Sequence, residues 1–220
     1  MNRKQIANCI DHTLLKPNAG LADINQLCRE AQNYGFHSVC INPYLVKDTG
    51  NYLKNHLVQI CSVVGFPFGA STSEVKLFEI ETLLNYGIDE VDMVMNIGMF
   101  KDKNLQSVEN ELKNAKRIVG EKIIKIIIET SLLTKDEIVT ASKVVEASGA
   151  DFIKTSTGCS GQGATVENIL LINNSVGSET KIKASGGINS LKQLQAMLDA
   201  GANRIGTSSS VFIMEEIPLI

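Results

Sequence analysis

The sequence contains no tryptophan, four prolines and three histidines. No stretch approaches the roughly 18 apolar residues that a membrane-spanning helix needs, and the N-terminal MNRKQIANCIDHTLL lacks the apolar centre of a signal segment. No Pro/Gly/Ser-rich linker, low-complexity stretch or composition shift divides the chain, so residues 1–220 read as one domain. There is no run of like charge and the net charge is -3. That excludes a broad surface for nucleic acid or anionic membrane, and any anion site must be local and built by placement. The five cysteines (Cys9, Cys28, Cys40, Cys61, Cys159) are odd in number and form no CxxC. A disulfide framework is therefore not expected, and free thiols point to a reducing, cytoplasmic setting. His12, His37 and His56 lack metal-ligand spacing, so no metal site is expected.

What is present is alternation. Short β-branched runs at 38–42, 58–64, 90–96, 123–129, 151–155, 181–185 and 203–206 read as strands, with a first short one at 8–11. Between them the helical period appears at 21–34, 44–55, 73–86, 104–119, 135–148, 165–174 and 191–199, and a last helix starts near Ser208. Gly35, Gly87, Gly120, Gly149 and Gly201 stand where helices should stop, and Ser73, Thr134 and Ser190 where they should start. Strands alternating with helices eight times over this length predict a single (β/α)8 TIM barrel. The alternative is an open doubly wound sheet, but neither a GxGxxG nor a GxxxxGK[ST] loop is present.

In such a barrel, chemistry sits at the C-terminal ends of the strands. Two lysines stand out there. Lys154 lies late in DFIKTSTG and Lys183 late in KIKASGG. Parallel barrel strands are buried on both faces, so a lysine inside one is costly without a purpose. On neighbouring strands the two ammonium groups would approach to about 5 Å. At an effective dielectric near 20 their repulsion is roughly 3 kcal/mol, which favours a neutral amine. A neutral amine is what attack on a carbonyl requires. The bland alternative is that Lys154 pairs with Asp151 or Asp92. Lys125 and Lys181 fall near strand starts and are expected to be structural or solvent-facing.

Asp92, inside EVDMVMN, and Asp11, at the end of the first strand, are candidate carboxylates for the proton transfers that imine chemistry demands. Glu129 stands evenly between function and pairing or capping. The loops after the last two strands, SGGIN and GTSS, bring Gly186, Gly187, Gly206, Ser208 and Ser209 to where barrels hold phosphate, and Gly158 adds a third edge. His12 is expected in a hydrogen-bonded supporting role and Cys40 as a packed thiol. FPFG (66–69) is expected as a rigid loop over the barrel mouth.

These residues resemble the deoxyribose-phosphate aldolase family. The matching segments are DHTLL (11–15), CINP (40–43), VVGFPFG (63–69), EVDMVMNIG (90–98), IIIET (126–130), ADFIKTSTG (150–158), KASGGI (183–188) and RIGTSS (204–209). They keep the family order across nearly the whole chain. The resemblance implies a class I, Schiff-base aldolase. It would reversibly cleave 2-deoxy-D-ribose 5-phosphate into D-glyceraldehyde 3-phosphate and acetaldehyde, in deoxyribose catabolism, with no metal or organic cofactor. It implies that Lys154 forms the Schiff base, that Lys183 disfavours its protonation, that Asp92 relays protons with water and that Asp11 orders this network. Gly158, Gly186, Gly187, Gly206, Ser208 and Ser209 match the phosphate loops, and a homodimer or homotetramer is plausible. The chain departs from the pattern at Asn189, where many members carry a basic residue, at Cys159, and at Ser210. It also has no tyrosine after Tyr86. Two other readings stay open at this point: another imine-forming barrel enzyme acting on ketose phosphates, and a catalytically silent barrel that senses a sugar phosphate.

Overall fold

Apolar runs become eight parallel strands that close on one another. The computed structural model describes residues 1–54 and 56–218. A short α1 (Arg3–Ala7) precedes β1 (Ile10–Leu14), and strands and helices then alternate. They are α2 (Leu21–Tyr34), β2 (Ser38–Ile41), α3 (Val46–Tyr52), β3 (Gln59–Val64), α4 (Ser73–Asn85), β4 (Glu90–Val94), α5 (Ile97–Lys101) and α6 (Leu105–Val119). The second half continues with β5 (Ile123–Ile127), α7 (Lys135–Ala147), β6 (Phe152–Lys154), α8 (Val166–Asn173), β7 (Lys181–Ser185), α9 (Leu191–Asp199), β8 (Arg204–Thr207) and α10 (Ser210–Glu215). Each strand pairs with the next in parallel, and β8 returns to β1, so the sheet is a closed (β/α)8 barrel.

The period-2 rule divides each strand between two environments. In β5, Ile124 and Ile126 join the large apolar cluster shared with the helices, while Lys125 between them does not. The same holds for Val91 and Met93 around Asp92, for Ile182 and Ala184 around Lys183, and for Ile205 beside Arg204. The apolar core therefore lies between sheet and helices, where each buried Ile or Leu stabilises by about 2 kcal/mol. Inside the barrel the apolar cluster is small: Cys40, Cys61 and Val63, flanked by Leu15 and Phe66.

Several local expectations are adjusted. The first strand runs two residues later than read, which puts Asp11 near its start rather than its end. The helix expected at 44–55 opens as a 3-10 turn (Pro43–Leu45) and is helical only to Tyr52, and its expected last residue, Asn55, lies outside the described residues. Helices α1 and α5 are five residues each, too short to show a period. Thr134 caps α7 in a reciprocal box with Glu137, and Ser190 caps α9. Ser73 does not cap α4: it is the first helical residue, and its hydroxyl donates to Glu111 at 2.7 Å. No helix among the described residues is long and apolar enough to cross a membrane.

Candidate active site

Register brings the two lysines level. Lys154 on β6 is the direct neighbour of Lys183 on β7, as Asp92 on β4 is of Lys125 on β5 and Lys183 is of Arg204 on β8. Inward alternation then points all of them into one space. Lys154 Nζ and Lys183 Nζ each lie 2.8 Å from the same oxygen, Asp92 Oδ2. The two nitrogens can therefore be no farther apart than twice that distance. Asp11 Oδ2 lies 2.5 Å from Lys183 Nζ, a charge contact without hydrogen-bond alignment, and its other oxygen accepts from Arg204 at 2.7 Å.

Three members were not anticipated from sequence: Lys125, Glu90 and Arg204. Of the two expectations for Lys125, structural or solvent-facing, the structure corrects the second: it is fully buried, with Nζ 2.8 Å from Asp92 Oδ1 and 2.5 Å from Glu90. Arg204 reaches Glu90 at 3.2 Å, and His37 Nε2 lies 3.0 Å from it. The signal was present: IIKII places a charge in the middle of an apolar strand, the same anomaly that marked Lys154. Lys181, by contrast, is exposed and lies over the Phe152 ring, as a strand-start lysine should.

The electrostatics follow from the count. Four cationic side chains (Lys125, Lys154, Lys183, Arg204) share three carboxylates (Asp11, Glu90, Asp92) in a deeply buried space. Burial alone disfavours charge on every one. For Asp92 that penalty is outweighed first by Lys125, then by Lys154 and Lys183, and its carboxyl is held well below the ordinary range. Lys183 and Arg204 likewise hold Asp11 down against burial. Burial would raise Glu90, but Lys125 and the His37 contact hold it at about 2. Burial opposes charge on Lys125 and Lys183 as well, yet the carboxylates around each raise it above the ordinary lysine value. These groups are thus fixed as ions. A buried cluster is most stable when neutral, and this one carries one cation too many. Lys154 has a single carboxylate oxygen within reach and shares it with Lys183. Lys154 also reaches the surface of the site, its side chain 3% exposed against 0% for Lys183.

Above Lys154 opens a cavity of about 410 Å3. All six residues expected to hold phosphate line it: Gly158, Gly186, Gly187, Gly206, Ser208 and Ser209. Asp11, Asp92 and Lys183 lie beneath it rather than in its wall. Gly206 has a second duty. A Cβ there would lie 2.9 Å from Lys183 Cε, so its lack of a side chain makes room for the lysine. Gly186 packs against Gly163 so closely that a Cβ on Gly163 would meet the Gly186 carbonyl at 2.1 Å. Glu129 proves to be structural. It accepts from the Thr157 amide at 3.1 Å and its hydroxyl at 2.5 Å, which fixes the loop carrying Gly158.

His12 is held by Ser210 at 3.0 Å and Glu30 at 2.8 Å, and burial lowers its pKa despite Glu30. The Phe66–Gly69 segment does not line the cavity: Phe66 packs beside Cys40 and Cys61, and Phe68 is exposed. Asp151, the other expected partner of Lys154, pairs with Lys116 at 2.8 Å instead. Among the described residues, Cys40, Cys61 and Asp92 are the one group whose donor atoms gather as metal ligands do, within 4.8 Å. A cation there would compete with three ammonium groups for Asp92.

Comparison with known proteins gives the family. A model of the DeoC/LacD family aldolases matches residues 6–210. The chain is similar to the deoxyribose-phosphate aldolase of Caldicellulosiruptor saccharolyticus, 50% identical over 219 residues, covering 98% of this chain and 100% of that one. It is likewise similar to the deoxyribose-phosphate aldolase of Thermococcus kodakarensis, 49% identical over 222 residues and 99% of each chain. A solved structure of deoxyribose phosphate aldolase from Aeropyrum pernix, described as a unique tetramer, superposes with a TM-score of 0.90 at 32% identity, covering 97% of this chain and 91% of that one.

Proposed function

The chain belongs to the DeoC/LacD family of aldolases, and from that premise we infer that it cleaves 2-deoxy-D-ribose 5-phosphate reversibly into D-glyceraldehyde 3-phosphate and acetaldehyde through a lysine Schiff base. The observation that carries this reading is the buried cluster of four cations and three carboxylates, of which Lys154 is the member that lines the cavity.

Lys154 Nζ, as the neutral amine, attacks the aldehyde carbon of the open-chain sugar phosphate, and loss of water leaves an iminium. That cation takes the place of the proton the amine gave up, so the cluster keeps the charge it would have had with Lys154 protonated. A proton leaves the hydroxyl two carbons from the iminium carbon, the intervening carbon–carbon bond breaks, and the iminium accepts the electron pair. D-Glyceraldehyde 3-phosphate departs. Protonation of the resulting enamine and hydrolysis release acetaldehyde and regenerate the amine. Asp92, 2.8 Å from Lys154 Nζ, is the carboxylate positioned to pass these protons through water. Lys183 and Lys125 keep Asp92 ionised beside Lys154, and Asp11 orients Lys183. Gly158, Gly186, Gly187, Gly206, Ser208 and Ser209 receive the phosphate with backbone amides and hydroxyls. We place this activity in a single catalytic domain (1–220), in the cytoplasm, in a homodimer or homotetramer. Free, largely buried thiols support the compartment, and the Aeropyrum pernix assembly supports the oligomer.

Borohydride reduction in the presence of acetaldehyde tests the reading. Labelling at Lys154, with coupled release of glyceraldehyde 3-phosphate from deoxyribose 5-phosphate, is the expected result. Labelling only with a ketose phosphate would reassign the substrate, and none at all would leave a binding protein.

A further inference from the structure

The charge around the cavity is unevenly supplied. A phosphate monoester carries nearly two negative charges at neutral pH. Its expected cradle is made of glycines and serines, which contribute dipoles and no charge. Among the residues lining the cavity there is no carboxylate, Asn189 is neutral, and the cations are two: Lys154 and Lys16. Lys154 is committed to the imine. Lys16 is then the one cation left for the substrate's other end.

The local structure presents Lys16 for this purpose. Only Leu15 separates it from β1. Its carbonyl accepts from Asn42 Nδ2 at 3.1 Å and from the Ala19 amide at 3.2 Å, and the loop is tied again where the Tyr44 hydroxyl donates to the Ala19 carbonyl. Pro17 comes next and biases the residue before it to an extended backbone. The main chain is pinned, yet no ion pair or hydrogen bond engages the ammonium among the described residues. Lys16 also borders a neighbouring cleft of about 280 Å3 that contains Asp23 and Glu30, the natural rivals for its charge. Both are occupied. Asp23 accepts from the Gly20 amide at 2.8 Å, and Glu30 is held by His12 and Gln26, each at 2.8 Å.

Resting on the aldolase reading, we propose that Lys16 is the cation that binds the phosphate of the substrate and sets this chain's preference for phosphorylated over free sugars. Lys16→Gln lowers the ratio of kcat/KM for deoxyribose 5-phosphate to that for deoxyribose about tenfold, mainly through KM, the scale of one hydrogen bond to a charged group. Lys16→Arg keeps the ratio, and Asn189→Lys in the Lys16→Gln background restores it. Calorimetric titration with inorganic phosphate alone needs no turnover, so it stays informative even if the aldolase reading fails. There Lys16→Gln weakens binding by a similar factor. An unchanged phosphate affinity in Lys16→Gln, or an equal loss with both sugars, overturns the assignment and makes Lys16 a structural residue of its loop.

Discussion

Two buried lysines on opposite sides of the sheet make an instructive pair. Lys76 of α4 is wholly buried outside the barrel, where it donates to Glu111 of α6 at 2.9 Å and to the Val94 carbonyl at 3.0 Å. Lys154 is buried inside the barrel against Asp92 at 2.8 Å. By residue type and distance the pairs are alike. They differ in balance and access. Lys76 shares Glu111 with the Ser73 hydroxyl but with no other cation, and it is fully buried. Lys154 shares one oxygen with Lys183 in a cluster with a surplus cation, and it touches a cavity. A buried ion pair is weak evidence for stability or for function alone. The sharing of the carboxylate, with an opening to ligand, is what separates the amine proposed to react from the structural one.

The strongest way to break this contrast is Lys154→Ala, expected to lower cleavage by about a thousandfold or more and to abolish borohydride trapping while the fold persists. Steady-state assays and mass mapping of the trapped peptide read it. Residual trapping at another lysine would move the nucleophile. Next is Lys183→Leu. Removing it takes away the cation that shares Asp92 with Lys154 and leaves Asp11 without its lysine partner. The rate near pH 7 should fall about a hundredfold. A rate like that of the unaltered protein would contradict the electrostatic account.

Stability then sharpens the comparison. Lys125→Met leaves Glu90 and Asp92 short of a buried partner, and Lys76→Met does the same to Glu111. Each should cost about 3–5 kcal/mol in denaturant unfolding. Only the first should also disturb the pH–rate profile. The cluster's carboxylates further predict an acid response. Glu90 is held at about 2, and Asp11 and Asp92 are also lowered. Their stabilisation is present above the unfolded carboxylate range near pH 4 and is lost as pH falls through it towards 2. Melting temperature should therefore drop steeply below about pH 4. The smallest effect expected is from the double change Lys76→Met with Glu111→Leu. An apolar pair of similar volume should be near neutral in stability and leave aldol cleavage unaltered. Loss of activity there would tie the outer pair to the site.

How far the site could be read in advance depended on local anomaly. Lys154 and Lys183 were legible because each interrupts an apolar strand close to a glycine turn, and the glycine–serine loops because their place in the strand order is diagnostic. Glu90 and Arg204 were not, since a charge at a strand's first residue is usually solvent-facing. The same rule left Lys125 open between a structural and a solvent-facing role, and placed it too low in the barrel. Short β5 begins low, but its third residue already reaches the centre of the barrel. Glu129 was ambiguous because a carboxylate after a strand can serve a ligand or a loop, and only the Thr157 contacts decide between them.

By itself the sequence determined the alternation of strands and helices, the barrel class that this alternation predicts, and the pair of lysines that interrupt apolar strands. Those rest on periodicity and on the cost of burying charge, both properties of single segments. Tertiary structure decided the rest: that seven charged side chains from six strands share one space, that four cations meet three carboxylates there, and which amine is left facing the cavity. Charge balance is a sum over residues from distant parts of the chain, and no segment contains it until the strands close.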